Sequence, residues 1–130
     1  MASYDKPPIG KFITDNTVNI LASDNLRDNE LISFMNEFEV FVKSDGKYIS
    51  NGQVRILFDL ISKTKDFNEL QLIRPQIAFV TAKQIKIETR ILIEKLLKLI
   101  GEVKTTTEHE NMRRFITSFL HYHKFYHSEK

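Results

Sequence analysis

The sequence predicts an all-α fold, a compact bundle of about five helices, and three observations support this prediction. Apolar residues recur at the three- and four-residue spacing of amphipathic helices along most of the chain. The alternation of apolar and polar residues that is typical of strands is hard to find. Only 4 Gly and 3 Pro interrupt the 130 residues. A chain of this length forms one domain, and it can bury roughly two-thirds of its unfolded surface.

The N-terminal segment, residues 1–22, holds two prolines and a glycine among scattered apolar residues. We predict that it is a flexible tail, and that the helical domain spans residues 23–130. The alternative is that apolar residues dock the segment on the domain as an extra helical turn. The residues available for this are Ile13, Val18, Ile20 and Leu21.

The first helix of the predicted domain spans about residues 26–42. Polar residues at 23–25 can cap its start. Gly46 follows its end and can take the left-handed conformation that terminates many helices. The apolar stripe of this helix consists of Leu31, Phe34, Met35, Phe38, Phe41 and Val42.

A capping box marks the start of the second helix. The side chains of Ser50 and Gln53 can each accept a bond from the other residue's backbone N–H. Arg55 and Lys63 fall on the side opposite the apolar stripe, which consists of Val54, Leu57, Leu60 and Ile61.

The third helix begins at Asp66, and Pro75 inside its apolar pattern is expected to kink it or split it near Leu72. The fourth helix, about residues 83–100, is apolar over a wide arc. Such breadth implies burial on more than one side, by the domain core or by another subunit. This arc is where we expect contacts between subunits.

The last helix begins after Thr105, where two overlapping Thr-x-x-Glu capping boxes are available. It extends almost to the C-terminus and presents one apolar face. That face consists of Met112, Phe115, Ile116, Phe119, Tyr122 and Tyr126.

The composition excludes several classes of protein. The chain has no Cys, so it forms no disulfide framework, no thiolate zinc site and no cysteine nucleophile, as is usual in a reducing compartment. No apolar run reaches the roughly 18 residues that a membrane span requires. The N-terminus lacks the apolar stretch of a signal peptide. We therefore expect a cytoplasmic protein without a membrane partner.

The charge is unevenly distributed along the chain. The overall net charge is only +2, but residues 1–49 carry −3, residues 50–104 carry +4 and residues 105–130 carry +1. An anionic partner is therefore expected to bind the middle of the chain.

Three cations of this basic segment are candidates for a phosphate-binding ridge. Lys83, Lys86 and Arg90 are three and four residues apart, so on one helix they share a face. Repeated phosphates suit such a row because each contact releases a condensed counterion. Glu94 continues the same row, which favours the alternative of an ordinary solvated face.

Arg55 is a second candidate, because it lies close to a helix N-terminus. The free N–H groups and the guanidinium can hold an anion together. Lys63 and Lys65 follow at the far end of this helix. The alternative is that these are ordinary surface cations of an amphipathic helix.

The remaining polar residues suggest no active site. His123 and His127 have the spacing of two zinc ligands on one helix, but no third ligand and no H-E-x-x-H arrangement accompany them. A Gly-rich phosphate loop, a nucleophile elbow and a distinct carboxylate pair are also missing from the sequence. We expect no catalysis, no metal and no cofactor.

Three segments together resemble one family, the small subunit of the type III-A CRISPR–Cas (Csm) effector complex. They are residues 50–55 (SNGQVR), a polar cap followed by an Arg; residues 73–83 (IRPQIAFVTAK), an apolar-Ala-aromatic step between two cations; and residues 115–126 (FITSFLHYHKFY), a helix rich in aromatics with a Lys near its end. The resemblance covers about residues 45–127.

The resemblance implies a non-catalytic, all-helical subunit that takes part in antiviral defence. Several copies would stack along the guide RNA–target RNA duplex, opposite the backbone subunits, with one end of the stack meeting the large signalling and DNase subunit. Contacts would be made mainly to the target strand and would ignore its sequence. Arg55, Arg74, Lys83 and Lys124 match the basic positions of the family.

The sequence departs from the family pattern in three places. Ala82-Lys83 stands where Gly-Arg is more common, Phe79 where Tyr is, and His121 where a small residue is usual. Because Lys lacks the bidentate fork of Arg, we expect a looser phosphate contact at position 83.

Two other functions remain open from the residues alone. The apolar fourth helix also suits a helical protein–protein adaptor with no nucleic-acid role. His123 and His127 are the sole support for a metallohydrolase.

Overall fold

The computed structural model describes residues 8–81 and 86–128, and within these ranges the chain is helical and contains no strand. Five of the helices have eight or more residues, which confirms the all-α bundle. The helices are α1 (Lys11–Asp15), α2 (Thr17–Leu21), α3 (Asp28–Asp45), α4 (Asn51–Ser62), α5 (Phe67–Leu72), α6 (Arg74–Thr81), α7 (Ile87–Gly101) and α8 (Thr106–His127). None of these helices has the length and hydrophobicity needed to cross a bilayer.

The 22-residue helix α8 is the central element of the bundle. It packs most extensively on α4 and also contacts α3 and α2. Rings from α3 and α8 meet in the core, with centroids 5.1 Å apart for Phe38 and Phe115 and 5.8 Å apart for Phe41 and Phe119. Such pairs add about 0.5–1.5 kcal/mol each beyond the burial of their area. The aromatic stripes of the sequence are therefore core.

The prediction of a flexible tail over residues 1–22 needs correction for residues 11–21, which form α1 and α2. Ile13 and Ile20 are buried in the core. Phe12 stacks on Phe41 at 5.1 Å, and the Gly10 N–H donates to Asp45 Oδ2 at 2.8 Å. Of the two interpretations, docking is therefore the one that the structure shows. Residues 1–7 lie outside the described part of the chain.

The predicted helix boundaries are mostly confirmed. The Ser50–Gln53 capping box is present, and Asp66 and Thr105 cap α5 and α8. The split near Pro75 is also present, because α5 ends at Leu72 and α6 begins at Arg74. The first predicted helix differs: the polar residues at 23–25 form a separate 3-10 turn, and α3 begins only at Asp28.

The wide apolar arc of the fourth predicted helix is covered within the domain. α7 packs against α1, α5 and α6, and it buries Leu92, Ile93, Leu96, Leu99 and Ile100. The domain core therefore accounts for the burial of these five residues, and contacts between subunits on the rest of the arc stay a prediction.

Gly46 ends α3 for a different reason from the predicted one. Its φ is −61°, in the right-handed region, so no left-handed cap forms and the chain continues as a 3-10 turn over Gly46–Tyr48. A Cβ at Gly46 would lie 2.8 Å from the His127 ring and 3.2 Å from Cδ2 of His123. Close approach of α8 thus requires glycine here.

This close approach predicts that Gly46→Ala destabilises the fold by about 1–3 kcal/mol, as overpacking in a tight contact does. The matched control is Gly52→Ala in α4, where the nearest atom to an added Cβ is Ser50 Oγ at 4.0 Å. We expect the control to be as stable as the wild type or more stable by up to about 1 kcal/mol. Urea unfolding measures both, and equal stability of the two variants would contradict the argument.

Candidate nucleic-acid interface

The first turn of α4 presents open backbone to the surface. Ser50 Oγ accepts from the Gln53 N–H at 3.1 Å, and Gln53 Oε1 accepts from the Ser50 N–H at 3.1 Å. The next two N–H groups, those of Asn51 and Gly52, have no acceptor within the helix. Gly52 is exposed with open space above it. The positive end of the helix dipole is therefore accessible to an anion.

A groove surrounds this first turn. It consists of two depressions, of about 600 Å³ and about 290 Å³, that share four lining residues and so form one continuous surface. The shared residues are Asn51, Gly52, His123 and Ser128. We call this surface the cationic groove, because four exposed cations line it: Lys47, Arg55, Lys86 and Lys124.

The groove is electrostatically one-sided. No Asp or Glu is among the described residues that line it. Within the described chain, none of the four cations forms a salt bridge; the pair found there joins Lys11 to Asp15 in α1. Four uncompensated cations beside a helix N-terminus suit several adjacent anionic groups.

The residues predicted to bind RNA are Arg55, Lys63, Arg74, Lys83, Lys86, Arg90 and Lys124. The structure brings together three of these seven. Arg55 comes from α4, Lys86 from the N-cap of α7 and Lys124 from α8. Lys83 lies outside the described residues.

Two of the remaining predicted residues lie elsewhere on the surface. Lys63 is the C-cap of α4, roughly 12 Å along the axis from Arg55. Arg90 is exposed on α7 and is not among the residues that line the groove.

Arg74 is the first residue of α6, and its side chain lies beside the C-terminal end of α7 and not at the groove. Its Nη1 donates to Gln71 Oε1 at 3.1 Å, and Gln71 Nε2 donates to the Ile100 carbonyl at 2.8 Å. The guanidinium also lies over Gly101, 3.2 Å from where a Cβ would be. A cation beside the last carbonyls of a helix stabilises its dipole. Arg74 therefore has a structural contact in this fold.

Of the predicted ridge of Lys83, Lys86 and Arg90, the structure describes Lys86 and Arg90. Lys86 has extended backbone (φ −73°, ψ 125°), and α7 starts only at Ile87. Lys86 is therefore the N-cap of α7 and not an interior helical residue. It lines the groove, whereas Arg90 does not, and the chain enters α7 beside the 3-10 turn over Gly46–Tyr48, which α7 contacts.

Sequence reasoning missed Lys47 as a groove residue. Lys47 follows a predicted helix end in the acidic third of the chain, so neither charge nor spacing singled it out. The sole local signal was its position three residues before the Ser50 cap.

The two histidines considered as zinc ligands hold the floor of the groove. His123 Nε2 lies 3.0 Å from the Gly46 carbonyl and 2.9 Å from that of Ile49, and His127 Nε2 lies 2.9 Å from the Val42 carbonyl. Since a carbonyl oxygen only accepts, each Nε2 carries a proton and donates. The described residues contain no group of three or more side chains suited to hold a metal ion.

Burial lowers the pKa of two histidines. Desolvation lowers the pKa of His123 below the ordinary value of 6.5; the carbonyls of Ile49 and Gly46 oppose this effect and the nearby His127 adds to it. Burial also lowers the pKa of His109, and Arg113 acts in the same direction.

The pKa of Tyr126, in α8, is shifted as well. The hydroxyl of Tyr126 donates a hydrogen bond to the carboxylate of Glu39, and this bond raises the pKa of Tyr126.

Comparison with known families agrees with this fold of a small helical subunit. The family model Csm2 Type III-A matches residues 13–129. Because the match covers most of the chain, the protein belongs to the Csm2 family, the small subunits of the type III-A Csm complex. The resemblance seen in the sequence is thereby confirmed. No curated protein and no solved structure matches the chain significantly.

The lowered histidine pKa values predict that acid destabilises the fold. Between the folded pKa and 6.5 the unfolded chain binds more protons, so stability is full above 6.5 and is lost as the pH falls below it. Urea unfolding at about pH 7.5 and about pH 5.5 measures the loss.

His123→Gln is expected to be less stable at the higher pH but to lose less on acidification. His121→Gln, at an exposed position of the same helix, is the control and is expected to keep the wild-type pH dependence. A His123→Gln variant with an undiminished acid loss would exclude His123 as a source.

Proposed function

We propose that this Csm2 family member binds the sugar–phosphate backbone of RNA in the cationic groove, without reading its sequence and without catalysis. The observation that carries the proposal is the convergence of Lys47, Arg55, Lys86 and Lys124 on the open first turn of α4, with no acidic side chain among the described lining residues. Phosphate contacts position a strand but do not distinguish bases, as a subunit that meets many targets requires.

The charge arithmetic supports weak binding by a single copy. A strand contacting four cations releases about four counterions, which corresponds to a salt slope near −3 for single-stranded nucleic acid. With a net charge of only +2, the isolated chain offers little additional attraction. Several tethered copies bind more tightly, because linkage raises the effective concentration of each site.

Within the complex, the proposal follows from family membership. Several copies stack along the guide RNA–target RNA duplex and touch mainly the target strand. They lie opposite the backbone subunits, and one end of the stack meets the large signalling and DNase subunit. The proposed location of this assembly is the cytoplasm.

The proposal predicts that Arg55→Ala and Lys124→Ala each weaken binding to unrelated single-stranded RNAs. Each loss of a phosphate contact reduces the magnitude of the salt slope by about 0.7. Lys63→Ala, which removes an exposed Lys from the opposite end of α4, is the matched control and is expected to behave as the wild type. Fluorescence anisotropy between about 50 and 200 mM salt measures the slopes.

The same variants in the assembled Csm complex provide the stronger test, because affinity of a single copy is low. The proposal fails if the two groove variants and the control retain target RNA equally there.

A second candidate function, a helical protein–protein adaptor, is favoured by exposed apolar side chains. Leu72 and Phe79 are each 77 % exposed, and Ile87 is 63 % exposed. Exposed apolar side chains mark an interaction surface where they form one contiguous patch, so the adaptor requires these three to share one.

Nuclease treatment distinguishes the two functions. If RNA holds the subunit in its assembly, digestion before affinity capture releases it from its partners, and Phe79→Ser has little effect. Undiminished capture after digestion, together with loss of capture in Phe79→Ser, would establish the adaptor instead.

A further inference from the structure

We infer that the larger part of the cationic groove accommodates a whole unstacked nucleotide, with its base against the ring of Tyr48 and its phosphate on the surrounding cations. The ligand class is therefore single-stranded or locally unstacked RNA and not merely a row of phosphates. This inference rests on the proposed function and specifies its substrate.

The size of the groove is the first argument. At about 600 Å³, the part that contains Tyr48 falls within the roughly 300–1,000 Å³ typical of sites for whole small molecules. A phosphate bound only by surface cations requires no such depression. Space beside the helix N-terminus is therefore left for a sugar and a base.

The second argument is the aromatic ring in the lining. Tyr48 is half-buried at the end of the 3-10 turn, and its carbonyl accepts a hydrogen bond from the Thr89 hydroxyl of α7. This bond fixes the backbone that carries the ring. Lys47 Nζ lies 5.3 Å from the centroid of the ring. An aromatic ring held next to cations is the combination that binds single strands without sequence preference.

The lysine over the ring is compatible with a base in the same place. Lys47 is exposed, and a cation–π contact at an exposed site is weaker than the stacking of a base on an aromatic ring. A base that takes the ring face therefore displaces the ammonium group. The displaced Lys47 remains on the same groove wall, where a phosphate can accept its charge.

The third argument is an unused hydrogen-bond donor in the lining. Gln53 lines the larger depression, and its buried Nε2 has no acceptor among the described residues. Its Oε1 is already engaged with the Ser50 N–H at 3.1 Å. Buried donors without partners are uncommon, and a rotation of this amide toward the groove would let an oxygen of a bound nucleotide satisfy it.

The experiment compares two strands of equal length and charge, an RNA carrying one 2-aminopurine and a wholly abasic strand. The full chain is used, and its lack of Trp keeps the fluorescence background low. We expect the wild type to quench 2-aminopurine and to bind the RNA about five- to tenfold more tightly than the abasic strand.

Substitutions at Tyr48 test whether the base stacks on its ring. Tyr48→Leu is expected to lose the quenching and the preference for RNA while keeping its affinity for the abasic strand, and Tyr48→Phe is expected to behave as the wild type. Phe125→Leu is the control, because Phe125 is an exposed aromatic of α8 that is not among the residues lining the groove. Thermal unfolding verifies that each variant is folded.

Two results would overturn the inference while leaving the proposed function intact: equal wild-type affinity for both strands, or loss of quenching in Phe125→Leu instead of Tyr48→Leu. The comparison of strands uses the wild type, so it holds even if Tyr48→Leu does not fold. If the wild type binds neither strand in a salt-sensitive manner, the proposed function is overturned and the inference falls with it.

Discussion

The contact between the end of α8 and the connection from α3 to α4 holds both the core and the cationic groove in place. His123 donates to the carbonyls of Gly46 and Ile49 in that connection, and His127 donates to the carbonyl of Val42 in the last turn of α3. Gly46 leaves room for both rings. The Val42 carbonyl also accepts from the N–H of Gly46, so the His127 ring is its second donor at the end of α3. One set of contacts thus ends α3, positions the cap of α4 and forms the floor of the groove.

Acidic residues near this contact are engaged away from the cationic groove. α3 carries most of the acidic residues of the N-terminal third, and one of them, Glu39, is bound by Tyr126 on α8. Asp45 is bound by the Gly10 N–H. The described lining of the groove, on the side where α4 begins, contains cations and no carboxylates. A modest net charge therefore conceals a locally strong positive surface, which governs where an anionic strand can bind.

Part of the candidate site could be predicted from the sequence. Arg55 could be placed on the outer side of α4, because the capping box at Ser50 fixes the start and the register of that helix. Lys86 was identified, but as an interior residue of a helix. In the structure it is the N-cap of α7, and its extended backbone depends on how α7 meets the 3-10 turn. Arg74 has the charge of an RNA contact, and only the position of α7 shows that it lies over the end of that helix. Charge and spacing give residue types, whereas packing decides which cations converge.

The helical class, the starts of α4, α5 and α8, and the break between α5 and α6 at Pro75 could all be predicted from the sequence, because capping and proline geometry act over a few neighbouring residues. Tertiary structure alone decided that α1 and α2 join the core, since burial of Ile13 and Ile20 requires partners far along the chain. It also decided which apolar residues of α7 are buried within the domain and that Lys47 shares a groove with Lys124. Local signals fix where helices start and stop, but long-range packing fixes which of their faces meet.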